Sequence, residues 1–194
     1  MLTHINNSRS YSIWKAIPRA MAVLMLVVTI LLPQATVCRS APSEFDIKAA
    51  CIYNFAKFVE WPSKVFQNDS SPLVIGVIGT GRVYDVLEST VSGKTANGRK
   101  ISVKHFKSSR EVKDCQVLVV CSSEERRMDS ILSTVSGQPV LTVGEIDHFA
   151  NNGGIINFYL DNSNVRFEIN TNNANHAGLK ISSQLLKLAK IINK

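Results

Sequence analysis

Between Lys48 and Pro62 the apolar residues Ile52, Phe55, Ala56 and Val59 recur at i, i+3, i+4 and i+7. That is the spacing of one helical face. Ala49, Cys51 and Phe58 widen the face, so this helix needs cover from a sheet or another protein. Pro62 cannot continue a helix and pushes Trp61 toward an extended backbone, so the spacing predicts a helix over 42–60 that stops near Glu60. Further on the pattern changes. Leu73 to Gly79, Gln116 to Cys121 and Val140 to Val143 are short apolar runs, as expected for strands covered on both faces. Ile101 to Phe106 alternates apolar and polar and reads as a strand nearer an edge, after a loop that contains the turn pair Asn97-Gly98.

Helical spacing returns between Arg82 and Val91, and again from Ser122 or Ser123 to about Ser136. In the second case either serine can serve as the cap, with Glu124 and Glu125 in the first turn and Gly137 as the stop. Glu145 to Ala150 predicts a short helix. Ile155 to Leu160 and Val165 to Ile169 predict a hairpin, and Ser182 to Ile192 a final helix. Strand and helix alternate through the middle of the chain, which argues for an α/β sandwich with a mostly parallel central sheet. The hairpin adds an antiparallel edge and makes the sheet mixed.

The composition adds two constraints. Hydrophobic residues make up 45% and charged residues 19% of the 194, a globular balance that argues against disorder. The formal charge is +7, but residues 1–40 hold Arg9, Lys15, Arg19 and Arg39 and no acid, so residues 41–194 carry +3. That bias is too weak to argue for nucleic acid. A basic segment with Lys15 and Arg19 precedes the apolar run Ala20 to Leu32, too short for the ~20 residues that span a bilayer. Residues 1–40 therefore read as a removable export signal and 41–194 as one exported domain, with an uncleaved anchor as the alternative. Export leaves Cys51, Cys115 and Cys121 in an oxidising compartment. On one strand Cys115 and Cys121 would lie ~20 Å apart, beyond the ~7 Å a disulfide allows. A bridge from Cys51 to either one stays open, and buried free thiols that pack as small apolar residues are the default expectation.

The chemical inventory is thin. Gly79-Thr-Gly81 follows a strand and opens a helix, where phosphate-binding turns sit, but the third glycine position falls on Tyr84 and no acidic residue is placed for a ribose. Outside the leader, His105, His148 and His176 lack metal-ligand spacing with another His or Cys. Cys121 ends a strand, yet no histidine is placed to activate it. The expectation is no catalytic residue, no metal and no cofactor. In the hairpin, Arg166 and Glu168 share one strand face, with Val165, Phe167 and Ile169 on the other. Two readings stand: a solvated face with a local ion pair, or an edge that recruits a partner or a second copy. Trp61, an aromatic at an element's end, is a candidate contact.

Three blocks resemble one family. Lys-Ala-Ala-x-x-Tyr-Asn-Phe-Ala-Lys-Phe-Val-Glu-Trp-Pro, beginning at Lys48, is similar to the opening signature of the YfiR family of bacterial periplasmic proteins. The segments Gly153 to Leu160 with Asn164 to Asn170, and Ala177 to Ile191, are similar to its C-terminal signature. The loop Gly93-Lys-x-x-Asn97-Gly-Arg99 also follows the family pattern. The resemblance implies a periplasmic regulator, not an enzyme. It would bind the periplasmic sensor domain of an inner-membrane diguanylate cyclase, repress it and lower cyclic-di-GMP. An OmpA-like outer-membrane lipoprotein would release it, and a homodimer is implied. Trp61, Arg99, Arg166 and Glu168 are the candidate partner contacts. Some relatives carry a disulfide near the hairpin, but Phe149 to Gly154 here has no cysteine. The alternative function is a periplasmic small-molecule sensor with its ligand in the crevice near Gly79 to Arg82.

Overall fold

A computed structural model describes residues 41–193. The expected export signal, with Cys38, lies outside the described residues. The elements in chain order are helix α1 (Glu44–Phe58), strands β1 (Val59–Glu60) and β2 (Leu73–Ile78), helix α2 (Val83–Val91), and strands β3 (Thr95–Ala96), β4 (Arg99–Phe106) and β5 (Val117–Val120). Helix α3 (Met128–Val135), strands β6 (Leu141–Gly144), β7 (Ile156–Asp161) and β8 (Asn164–Asn170), helix α4 (Thr171–His176), strand β9 (Lys180–Ile181), helix α5 (Ser183–Leu186) and strand β10 (Lys190–Ile192) complete it. Eight strands form one sheet in the order β10-β8-β7-β6-β5-β2-β4-β3, while β1 pairs with β9 alone. All contacts between β4, β2, β5, β6 and β7 are parallel, and the β7–β8 and β3–β4 hairpins are antiparallel. The fold is therefore α/β with a mixed, mostly parallel sheet.

Alternation along the central strands divides the interior in two. Leu73, Ile75 and Val77 of β2 join Ile52 and Phe55 of α1 and Leu87 and Val91 of α2 in one core. Val74 and Ile78 point the other way, to Ile131, Leu132 and Val135 of α3 and to Phe149. Both sheet faces are covered, which is why the central runs are apolar without a break. Each fully buried large side chain, such as Phe55 at 1% exposure, contributes about 1.5–3 kcal/mol. Asn97-Gly98 forms the expected turn, with both residues at positive φ (50° and 77°), and closes the β3–β4 hairpin.

Five local expectations are corrected. Helix α1 ends at Phe58, because Val59 and Glu60 are extended and pair with Ile181 and Lys180. Ser122 and Ser123 do not cap a helix. Residues Ser122–Arg127 form a 3-10 turn before α3, and the Ser123 hydroxyl instead accepts the Thr80 N–H at 2.9 Å. Glu145 to Ala150 is a chain of turns rather than a helix. His148 takes φ 60°, and the Phe149 ring fills the space beside Gly144 and Gly154, where a β-carbon would lie within 2.6 and 2.3 Å of it. The final helix is only Ser183–Leu186, because Lys190–Ile192 leave it to pair in parallel with Glu168, Ile169 and Asn170. So β8 is not an edge, and β10 satisfies the backbone groups that a longer helix would have left open. Helix α4 was not anticipated. The Asn170 side chain caps it by accepting the Asn173 N–H at 3.0 Å.

Candidate partner-binding surface

At the N-terminal ends of the parallel strands, Trp61, Asn97 and Arg99 converge. Trp61 leaves β1 half-buried, and its indole N–H donates to the Gln116 carbonyl at 3.1 Å. Gln116, itself buried, accepts the Val74 N–H on its side-chain oxygen at 2.8 Å, so it holds Trp61 to the start of β2. Arg99 opens β4. Its guanidinium lies 3.9 Å from the Phe66 ring centroid and donates to the carbonyls of Asn68, Asp69 and Ser71 at 2.7, 3.0 and 3.0 Å. All three carbonyls meet one nitrogen, Nη1, and the flat guanidinium lies over the Phe66 ring, so Arg99 fixes the loop before β2. Asn97 donates to the Val59 carbonyl at 3.1 Å and so satisfies a group left free at the end of α1. Trp61, Arg99, Asn97 and Phe66 line an open groove of about 290 Å3. Phe66 also borders a second groove of about 460 Å3, which extends past Pro72, Cys115 and Lys104.

Arg166 and Glu168 are elsewhere. In register, Gly144 at the end of β6 faces Asn157, and Asn157 faces Glu168. The β7–β8 hairpin then projects past the C-terminal ends of the parallel strands, through a turn in which Asn162 and Ser163 have φ 48° and 64°. Arg166 is exposed and faces Tyr159 across the hairpin. Glu168 pairs with Lys190 of β10 at 3.4 Å, so the ion pair on this face joins β8 to its neighbour strand. The four candidate contacts therefore form two separate pairs, at opposite ends of the sheet.

A further charged residue sits at the C-terminal ends of β5 and β6. Lys48 of α1 is 7% exposed and pairs with Glu44 at 2.5 Å and with Glu145, just beyond β6. Burial pulls the Lys48 pKa down, but hydrogen bonds and charge from Glu145 and Glu44 outweigh it and hold the ammonium above its ordinary value. Ser122 donates to the same Glu145 at 3.3 Å. The i,i+4 spacing of Glu44 and Lys48 was the available signal.

The crevice below Lys48, where strand ends β5 and β6 meet α1 and α2, has a volume of about 20 Å3, room for roughly one water. The neighbouring turn is packed at Gly79 and open at Gly81. A β-carbon at Gly79 would lie 2.6 Å from the Ser123 hydroxyl and 2.8 Å from the Cys121 β-carbon, and His105 Nε2 donates to the Gly79 carbonyl at 2.7 Å. Burial pushes the thiol of Cys121 up to about 11, helped by Glu145 and Glu124, and that of Cys115 up to about 12. Both are free and buried, while Cys51 is free and half-buried. Neither buried thiol is a nucleophile near neutral pH.

A family profile described as YfiR/HmsC-like matches residues 45–190, from the start of α1 into β10. The chain belongs to the YfiR/HmsC-like family. That family is one of periplasmic proteins and is regulatory rather than catalytic. No helix among the described residues is long and apolar enough to cross a membrane. No curated protein matches the chain significantly. Among solved structures, an ABC domain in complex with L-Trp from Streptococcus pneumonia is 13% identical, with a TM-score of 0.47 over 62% of this chain and 55% of that one. The YfiR-like chain thus spans little more than half the length of that neighbour.

Proposed function

We propose that this protein represses an inner-membrane diguanylate cyclase by binding its periplasmic sensor domain. The observation that carries the reading is the family match across residues 45–190, which takes in nearly all of the folded chain. Repression of this kind is stoichiometric. The protein favours the inactive state of a two-state receptor by binding it more tightly, and needs no reacting group. The low-reactivity thiols and the closed crevice are consistent with that.

The contacts fall to two surfaces. Arg166, exposed on the projecting hairpin, supplies a charge, and Glu168 with Lys190 supplies a paired rim beside it. At the other end Trp61 offers its ring at the mouth of a groove, while Arg99 spends its donors on its own chain and acts there by shaping the groove. Two separated surfaces suit a protein that holds a receptor with one and a second copy, or an OmpA-like outer-membrane lipoprotein, with the other. The small-molecule alternative has less support, because Gly79 is packed against Ser123 and Cys121 and the crevice beside that turn holds about one water, although Gly81 itself is open.

The test is cellular cyclic-di-GMP in cells that hold a candidate membrane cyclase. Deletion is expected to raise it, and exported protein alone to reverse the rise. Arg166→Glu should lose reversal while its melting temperature stays within a degree or two of the parent's. An unchanged level after deletion, across several candidate cyclases, would refute the repressor reading.

A further inference from the structure

Strand β4 has an open side. Its eight residues pair with β2 from Ile101 to Phe106, but on the other side β3 reaches only Arg99 and Lys100. The Ile101 N–H still donates to the Lys94 carbonyl at 3.2 Å. Beyond it no described strand continues the ladder. Backbone groups of alternate residues point the same way in a strand. The N–H and C=O groups of Val103 and His105 therefore point out of the sheet on the side where Ile101 points. An edge of this kind is a template for strand addition.

The charge around the edge selects the occupant. Between Lys94 and Lys113 the chain has seven lysines and arginines and one acid, Glu111, although residues 41–194 carry only +3. The rest of the exported chain is therefore net acidic, and the basic excess lies on β4 and its flanks. Lys100 and Lys104 stand on one face of β4, both exposed, and Lys107 follows its end, also exposed. The opposite face presents Ile101 and Val103, half-buried against the core. A second copy of this chain would bring two edges of the same sign together, which costs affinity. A strand with carboxylates on one face and apolar side chains on the other fits both faces.

We infer that the open edge of β4 is a docking site for an extended acidic segment of a partner, added as a further strand beside Val103 and His105. The lysines guard the edge against self-pairing and also attract that segment. The inference does not rest on the cyclase reading, since a free peptide reads the edge without any cyclase.

The test uses the exported protein and two seven-residue peptides, one alternating Val and Glu and one alternating Val and Lys. The Glu peptide should bind and the Lys peptide should not, with affinity falling as salt rises. Val103→Pro removes an edge-facing N–H that has no partner, so the fold should persist while peptide binding falls at least tenfold. Lys104→Glu/Lys107→Glu should exchange the peptide preference, and it decides the matter if the proline variant fails to fold. Equal binding of both peptides, no binding of the Glu peptide, or full binding by Val103→Pro in a folded protein would overturn the inference. So would a dimer of the parent that Val103→Pro converts to monomer, which would assign the edge to a second copy.

Discussion

Arg99 illustrates how a side chain that reads as a surface contact becomes part of the scaffold. Three carbonyls meet its Nη1 while the flat guanidinium stacks on the Phe66 ring, and a lysine can offer the charge but not the stacked plane. Arg99→Ala is expected to cost about 1–3 kcal/mol in urea unfolding, and Arg99→Lys to recover less than half of it. A lysine that restored full stability would show that charge alone suffices. The buried thiols give a second prediction. The unfolded chain releases the Cys115 proton near its ordinary value of 9.0, whereas the folded chain holds it to about 12. The folded pKa is raised, so the stability is full below pH 9 and is lost as pH climbs through that window, by about 1.4 kcal/mol per unit for one thiol. Cys115→Ala should flatten that part of the pH profile of unfolding. A profile parallel to the parent's would refute this account. Near neutral pH, Cys51 should react with thiol reagents ahead of Cys115 and Cys121, because it alone is half-exposed.

At the scale of elements, the turns are where backbone geometry has most consequence. Gly79 sits at φ 104° against Ser123 and Cys121, so Gly79→Ala adds a strained backbone to a contact that has no room. We expect a loss of at least about 2 kcal/mol, measured by thermal unfolding. Ser163 holds φ 64° in an open hairpin turn, and Ser163→Gly should instead gain about 0.5–1 kcal/mol. The elements that were legible had strong patterns. The Ile52, Phe55, Ala56 and Val59 spacing produced α1, and the unbroken runs produced β2, β5 and β6. Misreadings arose where a competing contact won. Phe149 packs between two glycines, so the turn after β6 has no helix, and Ser123 caps the Gly79 loop rather than its own helix.

For the whole molecule, the last strand matters most. The residues from Ser182 to Ile192 have a helical apolar pattern, yet β10 closes the side of β8 that would otherwise be bare. Deleting residues 190–194 should expose that side. Sedimentation velocity is then expected to show concentration-dependent association and calorimetry a lower melting temperature. A truncated protein that stays monomeric with an unchanged transition would mean that β10 contributes nothing to the closure. At the same scale, the candidate contacts separate into an end with Trp61 and Arg99 and an end with Arg166 and Glu168. Sequence spacing cannot show this, because strands far apart in the chain are brought into register only by the sheet.

The sequence by itself determined the class of fold, the covered central strands, the Asn97-Gly98 turn and the family. Each of these depends on local period, turn chemistry or contiguous blocks of residues, which survive without tertiary information. Only the tertiary structure decided that Arg99 is a latch, that Lys48 is an ion-paired ammonium at the sheet's end, and that β10 guards β8 while β4 stays open. Those outcomes depend on which distant groups meet. A side chain's partners, unlike its period, are set by the packing of the whole chain.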